Sequence, residues 1–474
     1  MKEISFRKPL MINGMSKIIS VIIQFSITAI LSRILTPSDY GIVAVTTIFT
    51  NLFVLLSGMG IGPAIIQNRN LNKEDYDNIY TFSWYFALVL AVIFGILGFF
   101  LAKIYNNSNY VFIALILALS LLFNTVNMVP NGLLLKKQEF FKIAIRTISI
   151  NIICGFLAIL MANFGFKYYT LVFNSFLNAI AIFLWNKFSI ELSFKKRIKV
   201  KSIKKIFSFS SYMIAFDFIN YFSSNLDNIL VTIFLGSTML AYYDKSYQLM
   251  MYPVTLIGSV VSPILQPLFA KYQNDKEYIY ENYLNLLKIL LILGCFVECI
   301  FLSSPREIIT ISFGDQWDIS IVCFFILSFS EFFRMAVKTT GYVIQSINKV
   351  KLLFKTTLIT TSTYFVCLIV GLYFKTVESL ACAVSIAYIL NFIISYLIFS
   401  IAFEHKIMSL FKDIKDELLL LVISIFIGLL INKYLLIENI YLSFGIKSII
   451  ILFIFSLWII FMKKIVLFKK ILKN

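Results

Sequence analysis

Fourteen apolar runs, most of them near 20 residues, fill this chain almost from end to end. A run of that length crosses the hydrocarbon of a bilayer as one helix. They fall at about 11–34, 41–66, 80–104, 110–135, 143–165, 167–186, 206–235, 240–270, 284–304, 319–343, 352–374, 378–402, 418–436 and 440–462. The thirteenth is the weakest, because Lys433 and Glu438 crowd its end. The pattern predicts an all-α polytopic membrane protein. No soluble domain interrupts it.

Charge orders the runs. Of 42 Lys and Arg residues, 29 fall in one alternating set of loops and tails, six in the other set, and seven inside runs. Basic residues beside spans mark the cytoplasmic side, so both termini are expected there. The rich set includes eight residues from Lys187 to Lys205, together with Lys349, Lys351 and Lys355. The poor set holds one each: Lys103, Lys167, Lys245, Arg306, Lys375 and Lys433. A net charge of +18 spread over short segments does not describe a nucleic-acid binder. The first run lacks a small-residue cleavage site after it and reads as a retained span. All six Cys sit in apolar runs and His405 is the one histidine, so no disulfide, metal site or cofactor is expected.

The segment Lys187–Lys205 divides the runs into six and eight and reads as a linker that anchors to the cytoplasmic surface and to anionic lipid. The expected domains are a first six-helix lobe with its linker (1–200), a second six-helix lobe (201–403), and two further helices with a basic tail (404–474). At an offset of 200 residues Pro63 meets Pro263 and Gly58 meets Gly258. Polar stripes repeat as well: Asn13, Lys17, Ser20, Gln24 and Thr28 in run one, and Asp217, Asn220, Ser224 and Asn228 in run seven. Such a parallel repeat belongs to transporters whose substrate site lies between halves. A polar stripe in hydrocarbon faces protein or a water-filled cavity. Asn124, Asn127 and Asn131 in run four read either as part of that cavity or as helix–helix glue.

The seven embedded cations are Lys17, Arg33, Arg146, Lys288, Arg334, Lys338 and Lys447. A cation at mid-bilayer costs about 2.5–3.5 kcal/mol on insertion scales. Arg146, Lys288 and Lys447 lie near run ends and are expected to snorkel to the interface. Lys17, Arg334 and, on the same face as Arg334, Lys338 are the candidate contacts for a phosphate. Asn13, Gln24, Asn124, Asn127, Asn220 and Ser224 are candidates for hydrogen bonds to sugar hydroxyls. Asp217, Asp227 and Glu331 are candidates for a coupling H⁺ or Na⁺; Glu331 and Arg334, at i,i+3, are equally placed to neutralise each other. Glu298 is a further embedded acid. Gly58, Gly60, Gly62 and Pro63 in run two, with Pro253, Pro263 and Pro267 in run eight, read as hinges or as close-packing residues. No nucleotide loop, nucleophile elbow or zinc motif is present, which points away from an enzyme.

Three stretches carry a resemblance: LSRILTPSDYGIVAV (Leu31–Val45), the segment from Tyr242 to Asp275 that begins YYDKSYQLMMYP, and FGDQWDIS (Phe313–Ser320). With the fourteen-span layout they resemble the Wzx-type polysaccharide flippases, in the superfamily that also holds MATE exporters and the lipid II flippase. The resemblance implies two six-helix lobes around a V-shaped cavity in a bacterial inner membrane. It implies movement of an undecaprenyl-pyrophosphate-linked oligosaccharide to the outer leaflet by alternating access, driven by H⁺ or Na⁺. Membrane lipid and a polysaccharide polymerase or glycosyltransferase are the implied partners. The motif residues Ser32, Arg33, Leu35, Pro37, Asp39, Tyr40 and Gly41 match intact, with the tight turn between runs one and two as their expected role. The rival reading is a MATE-like exporter of small cations, which calls for a net acidic, aromatic site.

Overall fold

The computed structural model describes residues 7–58, 61–68, 70–195, 198–199, 202–203, 221, 225–270, 272–462 and 464. Among these, every regular element is helical. Eleven helices are long and apolar enough to cross a membrane, or twelve when one bent pair counts as a single span. The fourteen spans of the sequence reading are therefore not all recovered. Run seven lies largely outside the described residues, and run eight, a 34-residue helix, is not within that count.

The chain divides into two compact units, Met1–Ala241 and Tyr242–Asn474. The first holds α1 (Arg7–Ile34), α2 (Pro37–Gly58), α3 (Ile61–Gln67), α4 (Lys73–Ile104), α5 (Asn109–Lys136), α6 (Phe140–Asn163), α7 (Tyr169–Ser189) and α8 (Asn225–Leu235). Run two is described as α2 and α3, on either side of residues 59–60, which lie outside the described set. Helix α5 is the hub: α2, α3, α4 and α7 all pack on it. Small residues permit the approach. A Cβ on Gly98 of α4 would lie 2.5 Å from that of Ala114 on α5, and one on Gly132 of α5 would lie 3.3 Å from Gly62 Cα. Apolar side chains also face outward, as Leu88, Val92, Phe99 and Phe100 do on α4. Lipid is the solvent there, so shape and small residues, rather than hydrophobicity, select the buried faces.

The described part of the linker is held by α4. Helix α4 opens with Glu74, Asp75, Asp77 and Asn78, and those acids take up linker groups. Backbone N–H groups of Ser193, Lys195 and Lys199 donate to Asp77 Oδ1 (2.9 Å), Thr81 Oγ1 (2.9 Å) and Asn78 Oδ1 (3.0 Å). The Ser202 hydroxyl donates to Asp75 Oδ1 at 2.7 Å. Lys195 pairs with Asp77 at 3.3 Å, and Lys199 with Glu74. The described linker is therefore tied to α4.

The second unit begins within α9 (Ser237–Ala270), after Ala241. It continues through α10 (Lys276–Ser303), α11 (Pro305–Phe313), a turn of 3₁₀ helix (Asp315–Trp317), α12 (Asp318–Ser328), α13 (Glu331–Ser346), α14 (Val350–Tyr373), α15 (Val377–Phe403), α16 (Ile407–Asp413), α17 (Lys415–Tyr434) and α18 (Ile440–Phe461). The stretch between α10 and α12 is mostly helical. Helices α12 and α13 meet at a 60° bend and form one broken span.

The last two helices are built into this unit. Helix α17 lies along α10, where Gly428 leaves room: a Cβ there would meet Leu302 Cβ at 3.0 Å and the Cys299 carbonyl oxygen at 3.2 Å. Lys447 of α18 is 2% exposed and does not snorkel, contrary to the sequence reading. It donates to Glu307 Oε1 of α11 at 2.5 Å and to the Ser303 carbonyl at 3.1 Å. Ser443, one turn earlier, donates to the same Glu307 oxygen at 2.6 Å. At the far end of the hairpin Lys464 bridges Asp416 (3.0 Å) and Glu417 (2.8 Å). Burial works against the Lys464 charge, but hydrogen bonds from it to Glu417 and Asp416 outweigh that and hold its pKa above the ordinary value.

Candidate functional site

The polar residues of the first unit resolve into two groups. Helices α5, α6 and α7 share a buried network. Arg146 on α6 is 6% exposed, and its Nη1 donates to Asn131 Oδ1 on α5 (3.1 Å) and Asn186 Oδ1 on α7 (2.6 Å). The Asn186 amide then donates to Asn127 Oδ1 on α5 at 2.7 Å. A guanidinium with two amide acceptors and no carboxylate within ion-pair distance among the described residues is a buried, uncompensated cation. Arg146 was expected at an interface; α6 turns it inward instead, where the asparagines of α5 and α7 supply its acceptors. Asn127 and Asn131 thus serve as polar glue between helices. Asn124 is half-buried on the same helix.

The second group lies on α1. Lys17 and Gln24 are both exposed. Asn13 belongs to α1, with its side chain outside the described set. A stripe of this polarity is not stable against acyl chains and calls for water or protein beside it. Asp227 is 2% exposed on α8, and its Oδ1 accepts the Asn228 N–H at 2.9 Å. Asp217, Asn220 and Ser224 lie outside the described residues.

In the second unit, α13 carries the candidates. Arg334 is buried, with its guanidinium carbon 4.2 Å from the ring centre of Tyr388 on α15 and 5.0 Å from that of Tyr247 on α9. The two phenol hydroxyls share a hydrogen bond of 2.7 Å. Arg334 Nη1 contacts Met250 Sδ at 3.0 Å, and Nη2 contacts Met251 Sδ. Aromatic faces and soft sulfur stabilise a desolvated guanidinium without neutralising it. The sequence did not single out Tyr247 and Tyr388. Tyr247, Met250 and Met251 sit at i, i+3 and i+4 on one face of α9, a spacing that signals a shared target. Lys338, one turn along from Arg334, is exposed at its end, while its stem crosses Gly258: a Cβ there would meet Lys338 Cε at 2.8 Å.

The acids nearby are not spent on these cations. Glu331 is fully buried, and neither carboxylate oxygen has a hydrogen-bond partner. The i,i+3 ion pair with Arg334 does not form, because Arg334 turns to Tyr247 and Tyr388. Glu298 of α10 is also fully buried; its Oε2 accepts the Phe332 N–H at 3.2 Å, and its Oε1 has no partner. Phe332 lies in the first turn of α13, just past the bend. Breaking a span leaves N–H groups without acceptors, and Glu298 supplies one from the neighbouring helix. Glu331 has no such structural employment. A carboxylate in that setting is neutralised by a proton or a bound cation.

The sequence motifs make two corners. In the first, Thr36 N–H and Oγ1 donate to Asp39 Oδ2 (3.0 and 2.7 Å), which closes the turn and starts α2. Pro37 occupies the first helical position. Ser32 Oγ donates to Tyr40 Oη at 3.1 Å. Arg33, exposed in the last turn of α1, suits the negative end of that helix. Gly41 is obligatory for another reason: a Cβ would lie 2.6 Å from the Ser237 carbonyl carbon at the start of α9. In the second corner, the other two motifs meet. Ser246 Oγ donates to the Ser320 carbonyl (2.8 Å) and Ser320 Oγ to the Tyr242 carbonyl (2.9 Å). Tyr242 packs edge-on against Trp317, with ring centres 5.7 Å apart. Lys245, counted among the loop cations, is instead buried in α9 under Phe313 (5.0 Å) and Trp317 (5.6 Å). Gly314 turns the chain between them with φ +98°, a conformation open to glycine.

These corners lie within the part of the chain that carries a family signature: residues 30–322 match the model described as "Polysaccharide biosynthesis protein". The chain belongs to that family. The matched segment is more than half of the chain and ends before Glu331, Arg334 and Lys338. Among curated members, the chain is 22% identical over 419 residues to the lipopolysaccharide biosynthesis protein WzxC of Escherichia coli (strain K12), covering 86% of this chain and 84% of that one. It is 23% identical over 335 residues to the teichuronic acid biosynthesis protein TuaB of Bacillus subtilis (strain 168), covering 70% and 69%. Among solved structures, the lipid II flippase MurJ in an inward closed conformation superposes with a TM-score of 0.69 at 17% identity, over 96% of this chain and all of that one. This polysaccharide biosynthesis protein therefore has the polytopic helical fold of that flippase.

Proposed function

We propose that this chain is a flippase. It carries a lipid-linked oligosaccharide across the bacterial inner membrane, with both termini in the cytoplasm. The observation that carries the reading is the membrane-embedded cation of the second unit: Arg334 lies against Tyr247 and Tyr388, Lys338 follows one turn later, and no acid neutralises either within ion-pair distance among the described residues. Tyrosine hydroxyls and a guanidinium fork are donors suited to a pyrophosphate. The names of WzxC and TuaB, and the fold shared with MurJ, support the same substrate class.

In this reading Arg334, Lys338 and Lys17 hold the pyrophosphate. Asn13, Gln24, Asn124, Asn220 and Ser224 meet sugar hydroxyls. Asn127 is withdrawn from that set, since its Oδ1 is already committed to Asn186. Of the coupling candidates Asp217, Asp227 and Glu331, the last is best supported, because both its oxygens are buried and unbonded. Movement of H⁺ or Na⁺ onto and off Glu331 then drives the cycle.

A Glu331→Gln variant tests that role. It keeps shape and burial but holds no proton or cation. Export of surface polysaccharide is expected to fall by about tenfold, equivalent to about 1.4 kcal/mol, and the residual rate to ignore collapse of the ion gradient. A variant that exports at the wild-type rate and still responds to the gradient overturns the assignment. For the function itself, a strain lacking the chain is expected to accumulate its lipid-linked oligosaccharide; a normal pool of that intermediate speaks against a flippase.

A further inference from the structure

We infer a second anion site, for the headgroup of an anionic phospholipid, where α13 passes into α14. A cavity of about 600 Å³ lies there, lined by Asn348, Lys349, Lys351, Leu352, Lys355 and Ile401. Three cations in one cavity are a signal only if other residues do not already neutralise them. Some exposed lysines elsewhere have matched acids, as Lys195 has Asp77, Lys142 has Glu139 and Lys276 has Glu404. Lys349 donates to the Ala402 carbonyl at 2.7 Å and lies 3.9 Å from Glu404, whose charge Lys276 already meets at 2.5 Å. Hydrogen bonding to Lys276, with the charges of Lys276 and Lys349, holds the Glu404 carboxyl below its ordinary pKa. Lys351 and Lys355 have no acid within ion-pair distance among the described residues, and both are exposed.

Their position adds to the case. Helix α14 starts here with no acid in its first turn and no side-chain cap on its N–H groups. Lys349 at the N-cap and Lys351 in the first turn work against the helix dipole. An arrangement that sums three lysines with a positive helix end is stabilised by a bound anion. The apolar wall names the rest of the ligand. Leu352 and Ile401 line the cavity, and the side chains beyond them, Phe354 and Leu358 on α14, are large, apolar and exposed at 57% and 49%. A span that begins at this point sets the cavity at the membrane boundary. An ion with no tail leaves that wall in water; a lipid phosphate with acyl chains covers both surfaces at once. The site is separate from Arg334 and Glu331 and does not rest on the flippase reading.

The test is native mass spectrometry of the purified full chain. It is titrated with phosphatidylglycerol, with phosphatidylcholine of the same acyl chains, with undecaprenyl phosphate and with inorganic phosphate. Phosphatidylglycerol is expected to bind about tenfold more tightly than phosphatidylcholine, with the preference lost in Lys351→Gln/Lys355→Gln and kept in Lys351→Arg/Lys355→Arg. A Lys412→Gln/Lys415→Gln variant, which removes charge where α16 meets α17, is expected to bind like wild type. Equal binding of the two phospholipids by the wild-type chain overturns the proposal, whether or not the variants fold. So does an unchanged preference in the Gln variant. Displacement of phosphatidylglycerol by equimolar inorganic phosphate, or tighter binding of undecaprenyl phosphate, overturns the phospholipid assignment.

Discussion

Arg334→Ala is expected to reduce polysaccharide export by about 30-fold or more at wild-type membrane levels. Truncating one member of a buried, charged interaction costs about 2–5 kcal/mol, and 2 kcal/mol is about 30-fold in rate. Arg334→Lys is expected to recover only part of the loss. A lysine restores charge but not the planar fork, and it stacks less well on Tyr247 and Tyr388, whose ring centres lie 5.0 and 4.2 Å from the guanidinium carbon. Tyr388→Phe keeps the ring and removes the hydroxyl that meets Tyr247 at 2.7 Å; a smaller loss is expected. Surface polysaccharide assayed beside immunoblots of membrane protein separates a transport defect from poor insertion. Wild-type export in Arg334→Ala would remove this residue from the substrate site.

The second large effect concerns stability. Lys447 and Glu307 are buried together at 2.5 Å, with Ser443 on the same carboxylate oxygen. Removing one partner leaves the other charge buried and unpaired, which costs about 3–5 kcal/mol. Lys447→Ala and Glu307→Ala are each expected to lower the melting temperature of the purified protein sharply and to loosen α18 from α11. The double variant Lys447→Met/Glu307→Leu buries no charge and is expected to melt near the wild type. The non-additivity is the test. Two single variants that each melt like wild type would show that the pair does not hold the hairpin.

That pair also shows where the sequence is legible and where it is not. Periodic, local signals survive translation into structure. The apolar runs that lie within the described residues are helical, and the spacing of Asn124, Asn127 and Asn131 places them along α5. The turn chemistry of Thr36, Pro37 and Asp39 closes the first corner. What fails is any inference about a charge's partner. Lys447 lies near the end of its run and reads as a snorkelling residue, yet its carboxylate is 140 positions away. Arg146 reads the same way, yet Asn186, 40 positions on, draws it inward. Glu331 and Arg334 are close enough in sequence to pair, but Tyr388 on α15 competes for the guanidinium and wins. The basic linker reads as lipid-facing because its acceptors, Asp77, Asn78 and Thr81, are over a hundred positions earlier. Breaks within apolar runs are similarly hidden, since α12 and α13 are continuous in hydropathy and separate only through the 60° bend.

The position of Glu298 sharpens the division of labour among the acids. It accepts an N–H that the break in the span would otherwise leave without a partner, so its removal is a structural loss. Glu331 accepts nothing, so its retention within hydrocarbon is unexplained by folding and is the stronger candidate for a coupling group.

The most direct measurement is translocation by the purified chain in sealed proteoliposomes. A polyprenyl-pyrophosphate-linked oligosaccharide is placed in the leaflet on the side of the protein's termini, and its arrival in the other leaflet is followed with an impermeant sugar-oxidising or lectin probe. The account predicts protein-dependent transfer that rises with an imposed ion gradient, falls in Arg334→Ala and loses its gradient response in Glu331→Gln. Transfer no faster than in protein-free vesicles, with correctly folded and oriented protein, would contradict it.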